Sequence, residues 1–275
     1  MGVAIGIPIC GYPSWQLVRG LMSLAWPSGP RGFITAGEAD RPLPIDVAHN
    51  RIIEAFLGDK RLEWLLMVDA DATLHPKTLL RLLSWNQPVV GALCFTRHCP
   101  AGPTIYAGRR KGDPEGYYVI RVTETRAWLT AHPEMIVNQA TVMEPRPDDA
   151  LAPVDFTGGH CLLVRRDVLE AVGSPWFERL LPEGGHGTGA DRDFCEKARR
   201  AEFPLYVDRS VLAGHMVGER CIGALDFLAW DRVTDWKNRR FTVGPTATRP
   251  ATVPVSLSAS PPAPYHRETL TIGEG

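Results

Sequence analysis

Two carboxylates two residues apart, Asp69 and Asp71, follow the apolar run Trp64 to Val68. In open α/β sheets ligands bind beyond the carboxyl ends of the strands, which is where such a pair would sit. A turn through Thr73 and Pro76 then lets both side chains reach one cation. Oxygen donors that leave positions for phosphate suit Mg²⁺ or Mn²⁺, and two carboxylates beside a hydrophobic strand are costly to desolvate without a cation. The competing explanation is one helix-capping Asp and one loop Asp. A second constellation runs from Gly187 to Cys195, where glycines lead into Asp191-Arg192-Asp193. At a helix start these acids meet the positive end of the dipole. Either could act as a general base facing a cleft, and simple N-capping accounts for the same pattern. The third is Val211-Leu212-Ala213-Gly214-His215, a short apolar strand ending in a histidine that is either packed, on the surface or a ligand.

The elements that must position these groups alternate. Val3 to Ile9 is a short apolar strand leading into a Cys10-Gly11-Tyr12-Pro13 loop. Ser14 can cap a helix through Leu17, Leu21 and Leu24 that ends before Pro27. Gly32 to Ala36 is a second strand, and Ile45, Ala48, Ile52 and Phe56 recur at helical spacing. The uninterrupted run 64–68 suits a central strand covered on both faces. Pro76 opens a helix carrying Leu79, Leu80, Leu82 and Leu83, and Pro88 to Leu93 returns to strand. This alternation over the first 95 residues predicts an α/β fold with a doubly wound, mostly parallel central sheet flanked by helices. Residues 97–150 are less regular, with a strand candidate at Gly116 to Val122 and a helix near Ala127. Pro153 to Arg165 predicts two strand segments around Gly158-Gly159; helices follow over Asp167 to Val172 and Ala190 to Ala201. Beyond Phe241 six prolines among Thr, Ser and Ala predict an extended tail, 241–275.

In their order along the chain, several of these stretches resemble the GT-A glycosyltransferases, especially small family-2-like enzymes of bacteria and phages. The matching segments are Gly6-Ile7-Pro8, Val47-Ala48-His49-Asn50-Arg51, Leu66 to Asp71 with Pro76, and Asp155 to Arg166. Pro175-Trp176-Phe177, Gly189 to Cys195, and Tyr206-Val207-Asp208 leading to Gly214-His215 complete the set. The resemblance spans about residues 3 to 217 and is weakest over 97–150. It implies a single Rossmann-like GT-A domain over 1–240, with a nucleotide-binding half (1–95) and an acceptor half (96–240). Asp69 and Asp71 look like the family's DxD motif, Asp71 as the direct metal ligand and Asp69 nearer the ribose or a metal-bound water. His215 resembles the third ligand, and its imidazole suits Mn²⁺ better than Mg²⁺. Asp191 matches the second acid of the family's Glu-Asp motif, the usual base of inverting members. Ala190 stands in place of the first acid, so Asp193 is held in reserve. Pro8 and the loop to Tyr12 would border the nucleotide base, Arg51 would help hold the nucleotide-sugar, and Gly158 and Gly159 would let backbone approach the donor sugar. The implied activity is inverting transfer from a nucleoside-diphosphate sugar, a UDP-sugar first, with the loop Pro182 to Gly189 (Glu183, His186) able to close over the donor.

Composition limits the acceptor. Thirty basic against thirty-one acidic residues give a net charge of −1, unlike a chain that wraps nucleic acid along its whole length or lies on an anionic membrane. No apolar run approaches the roughly 20 residues of a membrane span, so a lipid acceptor is disfavoured. No secretion signal is visible ahead of the first strand, and six cysteines without CxxC spacing fit reduced thiols in a cytosol, the host's if the chain is phage-encoded. The charge balance hides 25 Arg against 5 Lys. Arginine clusters at 109–111, 165–166, 199–200 and 237–240, with Trp230 and Trp236 nearby, could grip phosphates. A hydroxymethylated pyrimidine in phage DNA, flipped from the duplex, is therefore one acceptor class beside saccharides and proteins. Two rivals remain: a nucleotidyltransferase, against which the loop Ile9 to Ser14 counts by offering one Gly and no Lys, and a non-catalytic nucleotide-sugar-binding module.

Overall fold

The structure, a computed structural model, describes residues 1–97, 100–109, 118–179 and 189–231. The loop 182–188, residues 110–111, the cluster 237–240 and the tail 241–275 lie outside these residues. The first half alternates as its hydrophobic pattern requires: β1 (Val3–Pro8), α1 (Trp15–Ser23), β2 (Arg31–Ala36), α2 (Ile45–Gly58), β3 (Trp64–Val68), α3 (Thr78–Leu83) and β4 (Val89–Leu93). Every residue of β1, β3 and β4 is buried, which is why these strands are continuous apolar runs rather than alternating ones. Ser14 caps α1, its hydroxyl accepting from the Leu17 N–H at 3.1 Å. Helix α3 begins at Thr78 instead of Pro76, because the Thr78 N–H closes a turn on the His75 carbonyl.

The second half comprises β5 (Ile105–Arg109), β6 (Tyr118–Ile120), α4 (Val122–Ala131), α5 (Glu134–Val137), β7 (Ala140–Val142), β8 (Leu151–Val154), β9 (Phe156–Thr157) and β10 (Cys161–Arg165). After these come α6 (Arg166–Val172), α7 (Ala190–Arg200), β11 (Leu205–Ala213), β12 (His215–Val217), β13 (Arg220–Ile222) and α8 (Ala224–Asp231). The central sheet has the order β2-β1-β3-β10-β4-β11-β7, with β8 also paired to β11. β1, β2 and β3 pair in parallel, as do β4 and β11. β10 is inserted antiparallel between β3 and β4, and β7 and β8 run antiparallel to β11. Five strands thus share one direction, and helices cover both faces. The pleat of β3 shows how the two layers separate: Leu65 and Met67 join one core with Ile52, Phe56 and Phe194, whereas Leu66 and Val68 join the other with Ile5, Leu79 and Val211.

β11 is longer than the apolar run 211–213 suggests. Its first half pairs with β8 and its second with β7, and the register against β4 shifts between Asp208 and Leu212. Asp208, wholly buried, is satisfied there by the Trp85 indole N–H at 2.6 Å and by the N–H of Ser210 at 2.8 Å. Arg81 in turn donates to the Ser210 hydroxyl at 2.9 Å and the Met143 carbonyl. This polar network holds the irregular strand against α3 without leaving a charge unpaired.

Two arginine pairs that could have gripped phosphate are engaged with groups of the fold itself. Arg166 closes the C-terminus of α2, donating to the carbonyls of Phe56 (3.0 Å), Leu57 (3.3 Å), Asp59 (2.6 Å) and Leu62 (2.7 Å). The last carbonyls of a helix have no partner within it, so this one guanidinium replaces a capping motif. Arg165 forks onto Asp167 with two contacts of 2.7 Å, and Arg199 and Arg200 pair with Asp155 and Glu196. Removing Arg166 takes a donor from four carbonyls at once, of which Phe56 and Asp59 keep a backbone N–H. Arg166→Ala is therefore expected to cost about 2–3 kcal/mol in denaturant unfolding, against less than about 1 kcal/mol for Arg165→Ala.

Candidate metal centre and catalytic carboxylate

Asp69 and Asp71 leave the end of β3 on a turn that three other segments pin. The Ala72 N–H closes on the Asp69 carbonyl at 3.1 Å, and the Asp69 N–H donates to the His160 carbonyl at 3.0 Å. The Met216 N–H donates to the Asp71 carbonyl at 2.7 Å and the Thr73 N–H to the Gly214 carbonyl at 3.0 Å. Thr73 adds its hydroxyl, accepting from the Gly214 N–H at 2.9 Å and donating to the Gln139 carbonyl at 2.8 Å. The antiparallel entry of β10, with Cys161 opposite Val68, places His160 beside Asp69. A bridge between Ala72 and His215 places the second histidine beside Asp71.

The result is a group of four, Asp69, Asp71, His160 and His215, with one donor atom from each all within 4.8 Å of one another. Opposite ligands of an ion held at about 2.1 Å are about 4.2 Å apart, so the group would draw in by roughly half an ångström at its widest to hold one divalent cation. His160 Nδ1 lies 3.2 Å from Asp69 Oδ2 and 3.8 Å from Asp71 Oδ1; His215 Nε2 lies 3.6 Å from the same Asp71 oxygen. A carbonyl can only accept, so the ring nitrogens facing Gly214 O (His160 Nε2, 3.0 Å) and Phe95 O (His215 Nδ1, 2.8 Å) carry hydrogens. Burial pushes the His215 imidazole down to about 3, the charge of His160 adding to it. His215 is thus neutral, with its Nε2 lone pair turned toward the carboxylates. Burial raises Asp69, but its hydrogen bond to His160 and the surrounding imidazoles outweigh this and hold it well below the usual range. Burial keeps Asp71 raised. Arg97, largely exposed, lies 3.7 Å from Asp71 Oδ2.

Asp191 sits in the first turn of α7 and reaches back to the Gly158-Gly159 corner. A Cβ on Gly159 would lie 2.8 Å from Asp191 Oδ1, and one on Gly158 would lie 3.3 Å from the Thr104 side chain. Gly159 is thus glycine because this carboxylate occupies the space a side chain would need. Burial raises the Asp191 carboxyl above the usual range, opposed chiefly by His49. His49 is buried on α2 beside Phe177, which stacks on Phe194 of α7; neither ring nitrogen of His49 has a hydrogen-bond partner among the described residues. Its neighbour Asn50 locks that segment, accepting from the Trp176 and Phe177 N–H groups at 3.0 Å and donating to the Phe177 carbonyl at 2.8 Å. Asp193 is buried with Lys197 Nζ at 2.6 Å. The structure therefore separates the two acids: Asp191 borders the glycine corner, and Asp193 is held in an ion pair along its own helix.

The remaining sequence candidates are more dispersed. Pro8 is buried at the end of β1, paired with Ala36. Tyr12 and Arg51 are exposed, on the loop before α1 and on α2. His160 carried no separate signal beyond standing inside the Gly-Gly motif. Only the antiparallel β3–β10 register shows that it meets the acids. The segment around His215 is also unusually tight, since a Cβ on Gly214 would meet Cys221 Sγ at 2.4 Å and the Gln139 carbonyl at 2.7 Å.

No protein-family model matches this chain, and no curated protein is significantly similar in sequence. Among solved structures, A197 from STIV superposes with a TM-score of 0.49 at 16% identity, covering 81% of this chain and 90% of that one. GalNAc-T7, solved with UDP, GalNAc and Mn2+, superposes with a TM-score of 0.46 at 12% identity, over 86% of this chain and 49% of that one. This chain therefore spans about half the length of the second. Scores this low carry no chemistry from either protein to the site described above.

Gly214→Ala tests the packing beneath the centre. Backbone and sulfur on both sides cannot retreat together, so a destabilisation of about 1–3 kcal/mol is expected in denaturant unfolding. Binding of Mn²⁺, followed by loss of its free resonance signal, should weaken with it because His215 is the next residue.

Proposed function

We propose that this protein is a metal-dependent, inverting glycosyltransferase of the GT-A type. It would move a sugar from a nucleoside-diphosphate sugar, a UDP-sugar first, to an acceptor hydroxyl. The supporting observation is one juxtaposition. A two-carboxylate, two-imidazole cluster lies beyond the carboxyl end of β3, and a second, independent carboxylate, Asp191, borders the glycine corner that leads into it. The ordered motifs that resemble this enzyme class fall on those same residues. A divalent ion, Mn²⁺ or Mg²⁺, held by Asp69, Asp71 and His215 would offset the charge that develops on a departing diphosphate.

The chain's own groups would do the rest. Asp191, raised by burial, accepts the acceptor hydroxyl's proton as that oxygen attacks the anomeric carbon and the bond to the diphosphate breaks. A base on one face of the sugar and the leaving group on the other gives inversion, by the geometry that separates inverting from retaining glycosidases. Gly158 and Gly159 keep side chains out of the space where donor and base must approach. Arg97 adds an exposed positive charge beside Asp71 that a diphosphate could use. Asp193 is bound to Lys197, which favours Asp191 as the base. In this reading residues 1–95 hold the donor and 96–240 the acceptor, with Pro8, Tyr12 and Arg51 on the donor side. The engaged arginines at 165–166 and 199–200 withdraw part of the argument for a DNA acceptor, so saccharides and proteins stand beside hydroxymethylated DNA in any screen.

Transfer from a panel of nucleotide-sugars, read by mass change of the acceptor, tests this. Asp191→Asn is expected to lower turnover about 10²–10⁴-fold with an unchanged thermal midpoint, and Asp71→Ala and His215→Ala to remove the metal dependence. Undiminished transfer in all three variants would overturn the site. Release of pyrophosphate in place of a nucleoside diphosphate would assign nucleotidyl transfer instead.

A further inference from the structure

The motif resemblance places Asp69, Asp71 and His215 around the metal, Asp71 as the direct carboxylate ligand, and assigns nothing to His160. The geometry around His160 matches that of His215 in its outer anchor, and differs in that His160 Nδ1 is hydrogen-bonded to Asp69 and carries a hydrogen that a metal ion would displace. Each imidazole spends one N–H on a main-chain carbonyl, His160 through Nε2 on Gly214 and His215 through Nδ1 on Phe95. Each turns its other nitrogen to the carboxylates. Such anchoring of the outer nitrogen is what fixes tautomer and ring orientation in metal-ligating histidines. The rings lie face to face, centroids 3.5 Å apart and tilted by 36°, so neither can swing away without striking the other.

The distances also suit a shared ion. Adjacent donors on one ion at about 2.1 Å are about 3.0–3.4 Å apart. His160 Nδ1 is 3.2 Å from Asp69 Oδ2, and one oxygen, Asp71 Oδ1, is nearly equidistant from the two inward nitrogens at 3.8 and 3.6 Å. The last two separations exceed a hydrogen bond and need only a few tenths of an ångström to close around a cation. Burial orders the set: His160 is 3% and His215 12% exposed, whereas Asp69 and Asp71 are 28% and 29%. The imidazoles form the floor and the carboxylates the rim, leaving the solvent side for incoming oxygens.

We infer that His160 is a fourth protein ligand, making a two-imidazole, two-carboxylate centre selective for a transition-metal ion of the Mn²⁺ kind over Mg²⁺. Carboxylate and imidazole together suit Mn²⁺, whereas Mg²⁺ favours oxygen donors and retains its waters. Four protein donors on a six-coordinate ion would still leave two positions for phosphate oxygens. The inference rests on the metal centre of the proposed function but on no sugar chemistry, so the two can fail separately.

The test is metal binding by the full chain without nucleotide. Mn²⁺ is titrated by loss of its free electron-resonance signal, alone and against competing Mg²⁺. Electron spin-echo modulation then counts coordinated imidazole nitrogens, with ¹⁵N-histidine labelling as a check. Two nitrogens are expected in the wild type and one in His160→Asn. That variant should also bind Mn²⁺ about tenfold or more weakly and lose most of its preference over Mg²⁺. A single nitrogen in the wild type, lost in His215→Asn, would reduce His160 to a residue that positions Asp69 and would overturn the inference, as would an absence of Mn²⁺ binding. The wild-type nitrogen count decides even if His160→Asn fails to fold. Two nitrogens in a protein that turns over no nucleotide-sugar would leave this centre standing and remove the glycosyltransferase.

Discussion

Two carboxylates held at the end of a wholly buried strand create the constraint around which this molecule is arranged. Their mutual repulsion and partial desolvation must be offset by positive charge or by hydrogen bonds. The protein meets that requirement from two directions, with His160 hydrogen-bonded to Asp69 and Arg97 beside Asp71, while His215 turns a neutral nitrogen toward the same pair. None of these partners is a sequence neighbour of the acids. Each arrives through a different part of the sheet, so the centre exists only when the sheet is complete.

The antiparallel strand β10 is the element that makes this possible. Its insertion between β3 and β4 brings residues 158–160 to the carboxyl ends of the parallel strands, where a βαβ crossover alone would have left a loop. The same corner that delivers His160 to the acids presents Gly159 to Asp191. One short reversal of chain direction therefore couples the Asp69-Asp71-His160-His215 cluster to Asp191. Nearby, α2, the 175–177 segment and α7 are joined through Asn50 and the His49–Phe177–Phe194 rings, which set where the first turn of α7 can lie.

Much of the architecture was legible from residue pattern. The runs 3–9, 64–68 and 88–93 are apolar throughout because their strands are covered on both faces, and the helices between them carry apolar residues at helical spacing. The pair Asp69 and Asp71 and the terminal His215 stand out because polar groups that interrupt buried runs need a reason. The fold departs from the pattern where side chains serve non-local partners. Arg165-Arg166 has the composition of a phosphate grip and is instead an ion pair and a helix cap. Asp191 and Asp193 are equivalent in sequence, and only Lys197 and the Gly159 corner tell them apart.

By itself, then, the sequence determined the alternation of strands and helices, the place of the acidic pair at a strand end and the Gly-His terminus of the last long strand. These follow from hydrophobic periodicity and local turn chemistry, which act over a few residues. Only the tertiary structure decided that His160 joins the acids, that Asp191 faces the glycine corner and Asp193 does not, and that Arg166 braces the end of α2 while Arg165, Arg199 and Arg200 form ion pairs. The first of these outcomes depends on strand register and direction between segments about ninety residues apart. No property of either segment alone encodes that pairing.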